Sequence, residues 1–250
     1  MDLPQELLDE IISYIPPDDY KLLRSCSLVA KSWVHPSRTR IFDHVDVSGT
    51  VFLGSWLKNI SPTSSGMLLQ HVRSLSCYIA DIPDSYLGPV DFLHDYSSSL
   101  RRLEHLALDS GRPLSLARTE TYSAFQHTLS YLHVRSFSVT TNVVVTLVNY
   151  FPNLAHLHLK RLSHKVDDQP IPPLSRPLQE LTVAEFASDG LPLIDQLMKL
   201  HPQCEKITVA ETWRLRQVLA QRIINGVEAS IKRLNLKSDL EGVSNFPKIL

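Results

Sequence analysis

Three histidines near the middle of the chain have the residue type and spacing of metal ligands. His156 and His158 alternate along one predicted strand, and His133 lies at the matching position of the preceding strand. Zinc sites in enzymes usually add a carboxylate or a further oriented ligand to such histidines, with hydrogen-bonding partners behind them. The sequence shows neither beside these three residues. We therefore expect no metal site here.

The remaining residues with nucleophilic or phosphate-binding potential form no catalytic pattern. Cys26, Cys77 and Cys204 are widely spaced within apolar helical or strand-like patterns, which is typical of buried, reduced thiols. The chain has eight glycines and no Gly-rich phosphate-binding loop. Neither a Gly-x-Ser-x-Gly elbow nor a His-Glu-x-x-His helix occurs. We expect no catalytic residue, no cofactor and no enzymatic activity.

Composition narrows the classes of partner. With 25 basic and 26 acidic side chains, the net charge of -1 argues against nucleic acid as the main partner. Acidic residues occupy the N-terminus where a signal peptide would carry lysines and an apolar core. No apolar run approaches the roughly 20 residues that a membrane helix needs. The expectation is a cytoplasmic and/or nuclear protein without a membrane or nucleic-acid partner.

The first 42 residues predict three short helices. Pro16 and Pro17 end the first helix, and Asp18 is a candidate N-cap for the second. Three short helices in about 40 residues cannot bury this many large side chains among themselves. The following domain, another protein, or both must cover the remainder. The apolar residues of the first helix are Leu3, Leu7, Leu8, Ile11, Ile12 and Ile15.

The same segment resembles the F-box in the order and spacing of its residues. Its opening, Leu3-Pro4-Gln5-Glu6-Leu7, is similar to the Leu-Pro-x-Glu pattern of that family, and Val29-Ala30-Lys31-Ser32-Trp33 is similar to its later Val-x-Lys-x-Trp stretch. The resemblance covers residues 2–42. It implies binding to the Skp-type adaptor of an SCF ubiquitin ligase and, through the adaptor, to a cullin. The residues that it places at or near the adaptor are Leu3, Pro4, Leu7, Ile11, Leu22, Leu23, Cys26, Val29 and Trp33.

After residue 42, a triplet of apolar residues at relative positions 1, 4 and 6 returns throughout the chain. Examples are Leu103-Leu106-Leu108 and Leu154-Leu157-Leu159, and the first residues of consecutive triplets lie 24 to 31 positions apart. Candidate helices lie between triplets at 52–60, 91–98, 143–150, 191–200 and 214–227, whereas the proline-rich stretch 163–177 predicts an extended connection. Strand, crossover and parallel strand in succession predict an α/β solenoid with outer helices.

This second pattern resembles the leucine-rich repeat. The position that usually holds asparagine, three residues after the third apolar one, is occupied by other residues such as Phe137, Leu162 and Phe186. We therefore expect an irregular horseshoe over residues 43–250, following an F-box over residues 1–42. Phe246-Pro247-Lys248-Ile249-Leu250 begins one more repeat, so the array is expected to be shortened or to fold over its own edge.

Strand side chains alternate between faces, so the residues between the core positions should line the concave side of the solenoid. The middle of that side would carry an aromatic and basic patch, which suits an acidic or phosphorylated protein segment. An exposed sheet face must also be polar in any case, so the patch by itself leaves both interpretations open. The residues of the predicted target-binding patch are Tyr131, His133, Arg135, His156, His158 and Lys160.

Together the two resemblances imply a substrate-recognition subunit of an SCF-type ubiquitin ligase, with an unknown protein as its target, and the lack of a catalytic pattern predicts that it is non-catalytic. One alternative keeps the adaptor contact but makes the chain a scaffold or regulator that does not promote ubiquitination. In another, residues 1–42 only cap the solenoid. Co-purification with the adaptor separates the last possibility from the first two.

Overall fold

The computed structural model of the protein describes residues 3–16, 19–48, 69–79, 93, 97–110, 119–135, 138–164, 172–176, 178–185, 204–211, 221 and 233–238. These residues form a mixed α/β fold with N-terminal helices and an eight-stranded parallel sheet. That part of the predicted fold class is confirmed.

The three predicted N-terminal helices are α1 (Gln5–Ser13), α2 (Tyr20–Cys26) and α3 (Lys31–Phe42). The N-cap of α2 is Asp19, whose Oδ1 accepts a hydrogen bond of 3.0 Å from the backbone N–H of Leu22. The prediction of Asp18 as the cap was therefore wrong by one position, because the helix starts at Tyr20 and the cap must directly precede it.

Helix α3 runs through Pro36, which lies inside it and is buried. A proline lacks the N–H that would bond to the carbonyl four residues earlier, here that of Ser32. The side chain of Gln5 approaches this carbonyl, with Nε2 at 3.5 Å from the oxygen. The contact connects the start of α1 to the start of α3.

A small apolar core joins the three helices. Ile12 and Ile15 from α1 and its C-terminal end pack with Leu23 and Cys26 from α2, and Trp33 and Ile41 of α3 pack against them while only partly buried. Arg40 extends this contact, since its guanidinium reaches the carbonyl oxygens of Ile15 and Ser13, both at 3.4 Å.

The strands of the large sheet follow one another in chain order, and all neighbours are parallel. Two short strands, β5 (Ser138–Val139) and β7 (Ser163–His164), pair separately. The large sheet consists of β1 (His44–Ser48), β2 (Ser74–Ile79), β3 (His105–Ser110), β4 (Tyr131–Arg135), β6 (His156–Lys160), β8 (Glu180–Ala184), β9 (Lys206–Glu211) and β10 (Arg233–Ser238).

The apolar triplets set the register of this sheet. Leu132 pairs with Leu106 on one side and with Leu157 on the other, and the same position continues through Leu181 and Ile207. Because strand side chains alternate, all of these residues point to the same face of the sheet. They form one continuous core that runs from Leu69 to Val209.

Helix α4 (Thr141–Tyr150), the fourth described α-helix, covers part of that core. Its N-cap is Thr140, whose Oγ1 accepts a hydrogen bond of 3.3 Å from the N–H of Val143. This element was predicted over 143–150. Of the stretch predicted as a helix over 91–98, the structure describes Leu93, which is α-helical, and the start of a 3₁₀ turn at Ser97–Ser99. A second 3₁₀ segment spans Thr119–Phe125.

The other predicted helices, at 52–60, 191–200 and 214–227, lie outside the described residues except for position 221. So does the start of a further repeat at 246–250, and the connection at 163–177 is described only in part. None of the described helices is long and apolar enough to cross a membrane.

Backbone hydrogen bonds join the residues at the starts of neighbouring strands. The carbonyl of Arg73 accepts from the N–H groups of Glu104 and His105, at 2.8 and 2.9 Å. The carbonyl of Glu104 accepts from Ser130 and Tyr131 in the same way, and the pattern recurs along the sheet. Backbone N–H groups at the strand starts are therefore satisfied by backbone carbonyls at the start of the preceding strand.

Candidate functional site

The N-terminal helices expose a concentrated apolar surface. Of the large apolar side chains that the structure describes as exposed, eight lie between residues 3 and 29, and the other, Leu236, lies on β10. Two neighbouring residues on α1 show the difference between the exposed and the buried side of the helix, since Leu7 is 46% exposed and Leu8 only 2%. We call the eight residues the helical apolar face: Leu3, Leu7, Ile11, Tyr14, Tyr20, Leu22, Leu28 and Val29.

The nine residues that the resemblance placed at or near the adaptor occupy three environments. Leu23 and Cys26 are buried in the helical core, and Trp33 packs against that core while half-buried. The exposed members are Leu3, Pro4, Leu7, Ile11, Leu22 and Val29.

Sequence reasoning left three members of the helical apolar face out of the predicted adaptor contact. Tyr14 follows the last residue of α1, Tyr20 begins α2, and Leu28 lies in the turn after α2, where it is 85% exposed. Helical periodicity assigns faces only within a helix, so it carried no signal for Tyr14 and Leu28 at the ends.

A small cluster at His71 connects the helices to the start of the sheet. The His71 ring meets that of His35 at 5.2 Å between centroids in an edge-on arrangement, and its Nδ1 lies 3.3 Å from the hydroxyl of Thr39. Burial lowers the pKa of His71, and the neighbouring His35, Arg102 and Arg38 lower it further. Burial and these neighbours therefore favour the neutral form of the His71 imidazole, which lies between α3 and β2.

All six residues of the predicted target-binding patch lie together on one face of the large sheet. This face is opposite the core. Tyr131 of β4 pairs with His156 of β6, His133 with His158, and Arg135 with Lys160. We call this side the polar face. The rings of His133 and His158 stack at 4.2 Å with 7° between their planes, and the Tyr131 hydroxyl lies 3.4 Å from Nδ1 of His158.

The positive charges of this patch are compensated within the chain. Arg135 Nε lies 3.3 Å from Asp109 Oδ2, and Lys160 Nζ lies 2.7 Å from Glu185 Oε1. Arg161 also contacts Glu185. Because Arg135 is paired with Asp109 and Lys160 shares Glu185 with Arg161, the patch is less basic than its composition indicates. Glu185 lies one residue beyond β8, so the strand pattern gave no reason to include it.

Burial also suppresses the charge of His133. It lowers the pKa of His133 to about 3, with further lowering from His158, Lys160 and Arg135. His133 is therefore neutral at physiological pH and donates no cationic charge to the polar face. Among the described residues, no group of three or more His, Cys, Asp and Glu side chains could hold a metal ion.

A shallow groove of about 180 Å³ opens on the polar face over β6, β8 and β9. At its edge, Glu180 Oε1 lies 2.6 Å from Lys206 Nζ, and Glu180 Oε2 lies 3.5 Å from His156 Nδ1. Three members of the predicted patch, Tyr131, His156 and His158, line it. The lining residues that sequence reasoning did not select are Leu157, Glu180, Thr182, Ala184, Lys206, Thr208, Ala210 and Asn235.

Replacing Glu185 by glutamine should lower the free energy of unfolding in a pH-dependent way. Burial raises the pKa of its carboxyl, but hydrogen bonds from Lys160 and Arg161 outweigh burial and lower that pKa below its ordinary value of 4.5. The carboxylate thus stabilises the folded chain above pH 4.5, and this stability is lost as the pH falls through the lower, folded-state pKa.

We expect Glu185→Gln to cost about 1–2 kcal/mol at pH 7 and progressively less below pH 4.5, measured by urea denaturation across pH. Glu104, which faces Arg73 at 3.8 Å with both side chains well exposed, is the matched control. Its replacement by glutamine should have a much smaller effect. A cost for Glu185→Gln that did not change with pH would contradict this explanation.

Comparison with known families identifies the helical segment. The F-box domain family model matches residues 1–34. No curated protein sequence matches the chain. The N-terminal part of the chain is therefore an F-box domain. F-box domains bind Skp1-type adaptors and through them cullins, so this domain implies an adaptor-binding role in SCF ubiquitin ligase complexes.

Proposed function

We propose that the chain is a substrate-recognition subunit of an SCF-type ubiquitin ligase, with its F-box domain bound to a Skp-type adaptor and its repeat domain bound to a target protein. The observation that carries the proposal is the helical apolar face. Eight large apolar side chains are exposed within residues 3–29, while the apolar triplets of the strands are mostly buried. An apolar surface this concentrated favours a protein partner.

The adaptor contact is assigned to the exposed members of the predicted set, centred on Leu7, Ile11 and Leu22. Leu23 and Cys26 support it from below, because they form the core on which α1 and α2 pack. The proposed boundary between the F-box domain and the repeat domain is at residue 42, where α3 ends.

The repeat domain, residues 43–250, is proposed to be an irregular leucine-rich-repeat-like solenoid. Parallel strands in chain order, one per triplet, and a core of equivalent residues in register support this. In this role the chain performs no chemistry itself. It holds the target close to a ubiquitin-loaded enzyme, which raises the effective concentration of the target lysine.

A reconstituted ligase tests the receptor function. A partner found by proximity labelling with the full chain would be mixed with adaptor, cullin and the ubiquitin-transfer enzymes. We expect ubiquitin chains on that partner when this protein is present and none when it is omitted. If the partner binds and the adaptor assembles, but ubiquitination is equal in both reactions, the chain is a scaffold instead.

A further inference from the structure

We propose that the groove over β8 and β9 is a socket for an uncharged, hydrogen-bonding side chain of an extended target segment, and that it disfavours a phosphorylated or acidic residue. This inference rests on the proposed function, since it specifies the chemistry of the target that the receptor holds. It differs from the acidic or phosphorylated target that composition suggested.

The shape of the groove follows from four small residues in a block. Thr182 of β8 pairs with Thr208 of β9, and Ala184 pairs with Ala210 two positions along. Larger side chains flank the block, namely His158 on β6 and Asn235 on β10, at the same level as the threonines. Because adjacent strands lie about 4.8 Å apart, the low floor is about 10 Å wide.

The volume of the groove suits a side chain better than a free small molecule. Pockets that hold metabolites or cofactors usually enclose about 300–1,000 Å³. The groove measures about 180 Å³ and is open to solvent. An extended segment crossing the strands could place one side chain into it while its backbone remains above the floor.

The charges at the groove argue against an anionic occupant. Glu180 holds Lys206 at 2.6 Å and His156 at 3.5 Å, and its side chain is only 24% exposed. A phosphate that took Lys206 for itself would leave this carboxylate half-buried without its cation, which is unfavourable. At the level of the alanines, Lys160 is likewise held by Glu185. An uncharged side chain disturbs neither ion pair.

The polar groups that line the groove can both donate and accept hydrogen bonds. Thr182 and Thr208 contribute hydroxyls, Asn235 an amide, and Tyr131 a phenol. A hydroxyl or amide side chain, as in Ser, Thr, Asn or Gln, matches this set because it also donates and accepts. An apolar side chain would offer these groups no hydrogen-bond partner of its own once water is excluded.

Two peptide pools test the socket on the full chain, with no adaptor required. One pool carries Ser, Thr, Asn or Gln at the centre of otherwise random peptides, and the other carries phosphoserine, Asp or Glu there. Thr208→Leu fills the floor. Ala107→Leu is its matched control, because Ala107 occupies the same row of the polar face on β3, outside the groove. Glu180→Gln removes the carboxylate that holds Lys206.

We expect the wild-type chain to retain the uncharged pool about tenfold better than the anionic pool. Thr208→Leu should abolish this difference and Ala107→Leu should keep it, with unchanged thermal unfolding as the check on folding. Glu180→Gln should increase retention of the anionic pool, because Lys206 then becomes available.

Equal or better retention of the anionic pool by the wild type would overturn the proposal. Retention of neither pool, or a Thr208→Leu variant that still prefers the uncharged pool, would do the same. Failure of the receptor function has a separate signature. In that case adaptor co-purification or target ubiquitination fails, while the peptide preference of the chain remains.

Discussion

A chain with Leu7→Arg is expected to lose adaptor binding while it remains folded. Leu7 is 46% exposed on α1, whereas the adjacent Leu8, at 2%, faces the interior. Burying a leucine against a partner contributes about 1.5–3 kcal/mol, and an arginine there would leave a charge unpaired in an apolar contact. We expect at least about a hundredfold loss of affinity, measured by titration with the purified adaptor.

Leu236→Arg is the matched control, because Leu236 has the same exposed fraction of 46% but lies on β10, outside the helical apolar face. It should bind the adaptor like the wild type. Wild-type affinity in Leu7→Arg would place the adaptor contact elsewhere. If Leu7→Arg unfolded the entire chain, the helices would instead be an integral cap of the large sheet.

Truncating Leu159 to alanine should destabilise the large sheet more than truncating an exposed leucine does. Leu159 is fully buried at the third triplet position of β6, in the middle of the large sheet. Removing a buried leucine side chain leaves a cavity and costs about 2–5 kcal/mol. Urea denaturation, monitored through a spectroscopic signal of the sheet, measures the decrease in the free energy of unfolding.

The control again is on β10, where Leu236 occupies the same triplet position but is exposed. Leu236→Ala should cost clearly less than Leu159→Ala. Adaptor binding should survive in both variants, because the helical core of Ile12, Leu23 and Cys26 is separate from the core of the sheet. Equal losses for the two leucines would show that the sheet does not bury its triplets as described.

Local patterns in the sequence were sufficient to predict the helices that carry the helical apolar face and the strands that carry the polar face. Helical spacing predicted α1 and α2, and the apolar triplets predicted the strands and their register, because each depends on residues close in the chain. The Asp19 cap and the bounds of α4 shifted by one or two residues, since several positions near a helix end can serve as its first.

The residues of the polar face could be predicted from the sequence, but the net charge that remains after ion pairing could not. Arg135 and Lys160 looked like a basic patch, yet Asp109 and Glu185 arrive from the neighbouring strands and compensate both. An ion pair between residues 25 or 26 positions apart depends on the sheet register and on a residue beyond the strand end. Periodicity within one strand contains neither.

The sequence by itself determined the F-box domain, the parallel strands and the polar alternation of the sheet, because motif order and side-chain period are local properties of the chain. Only the tertiary structure decided which apolar helical residues remain exposed, and that Thr182, Ala184, Thr208 and Ala210 form the floor of a groove. Exposure and concavity arise from what packs around a residue, and small side chains become a floor only when larger ones stand beside them.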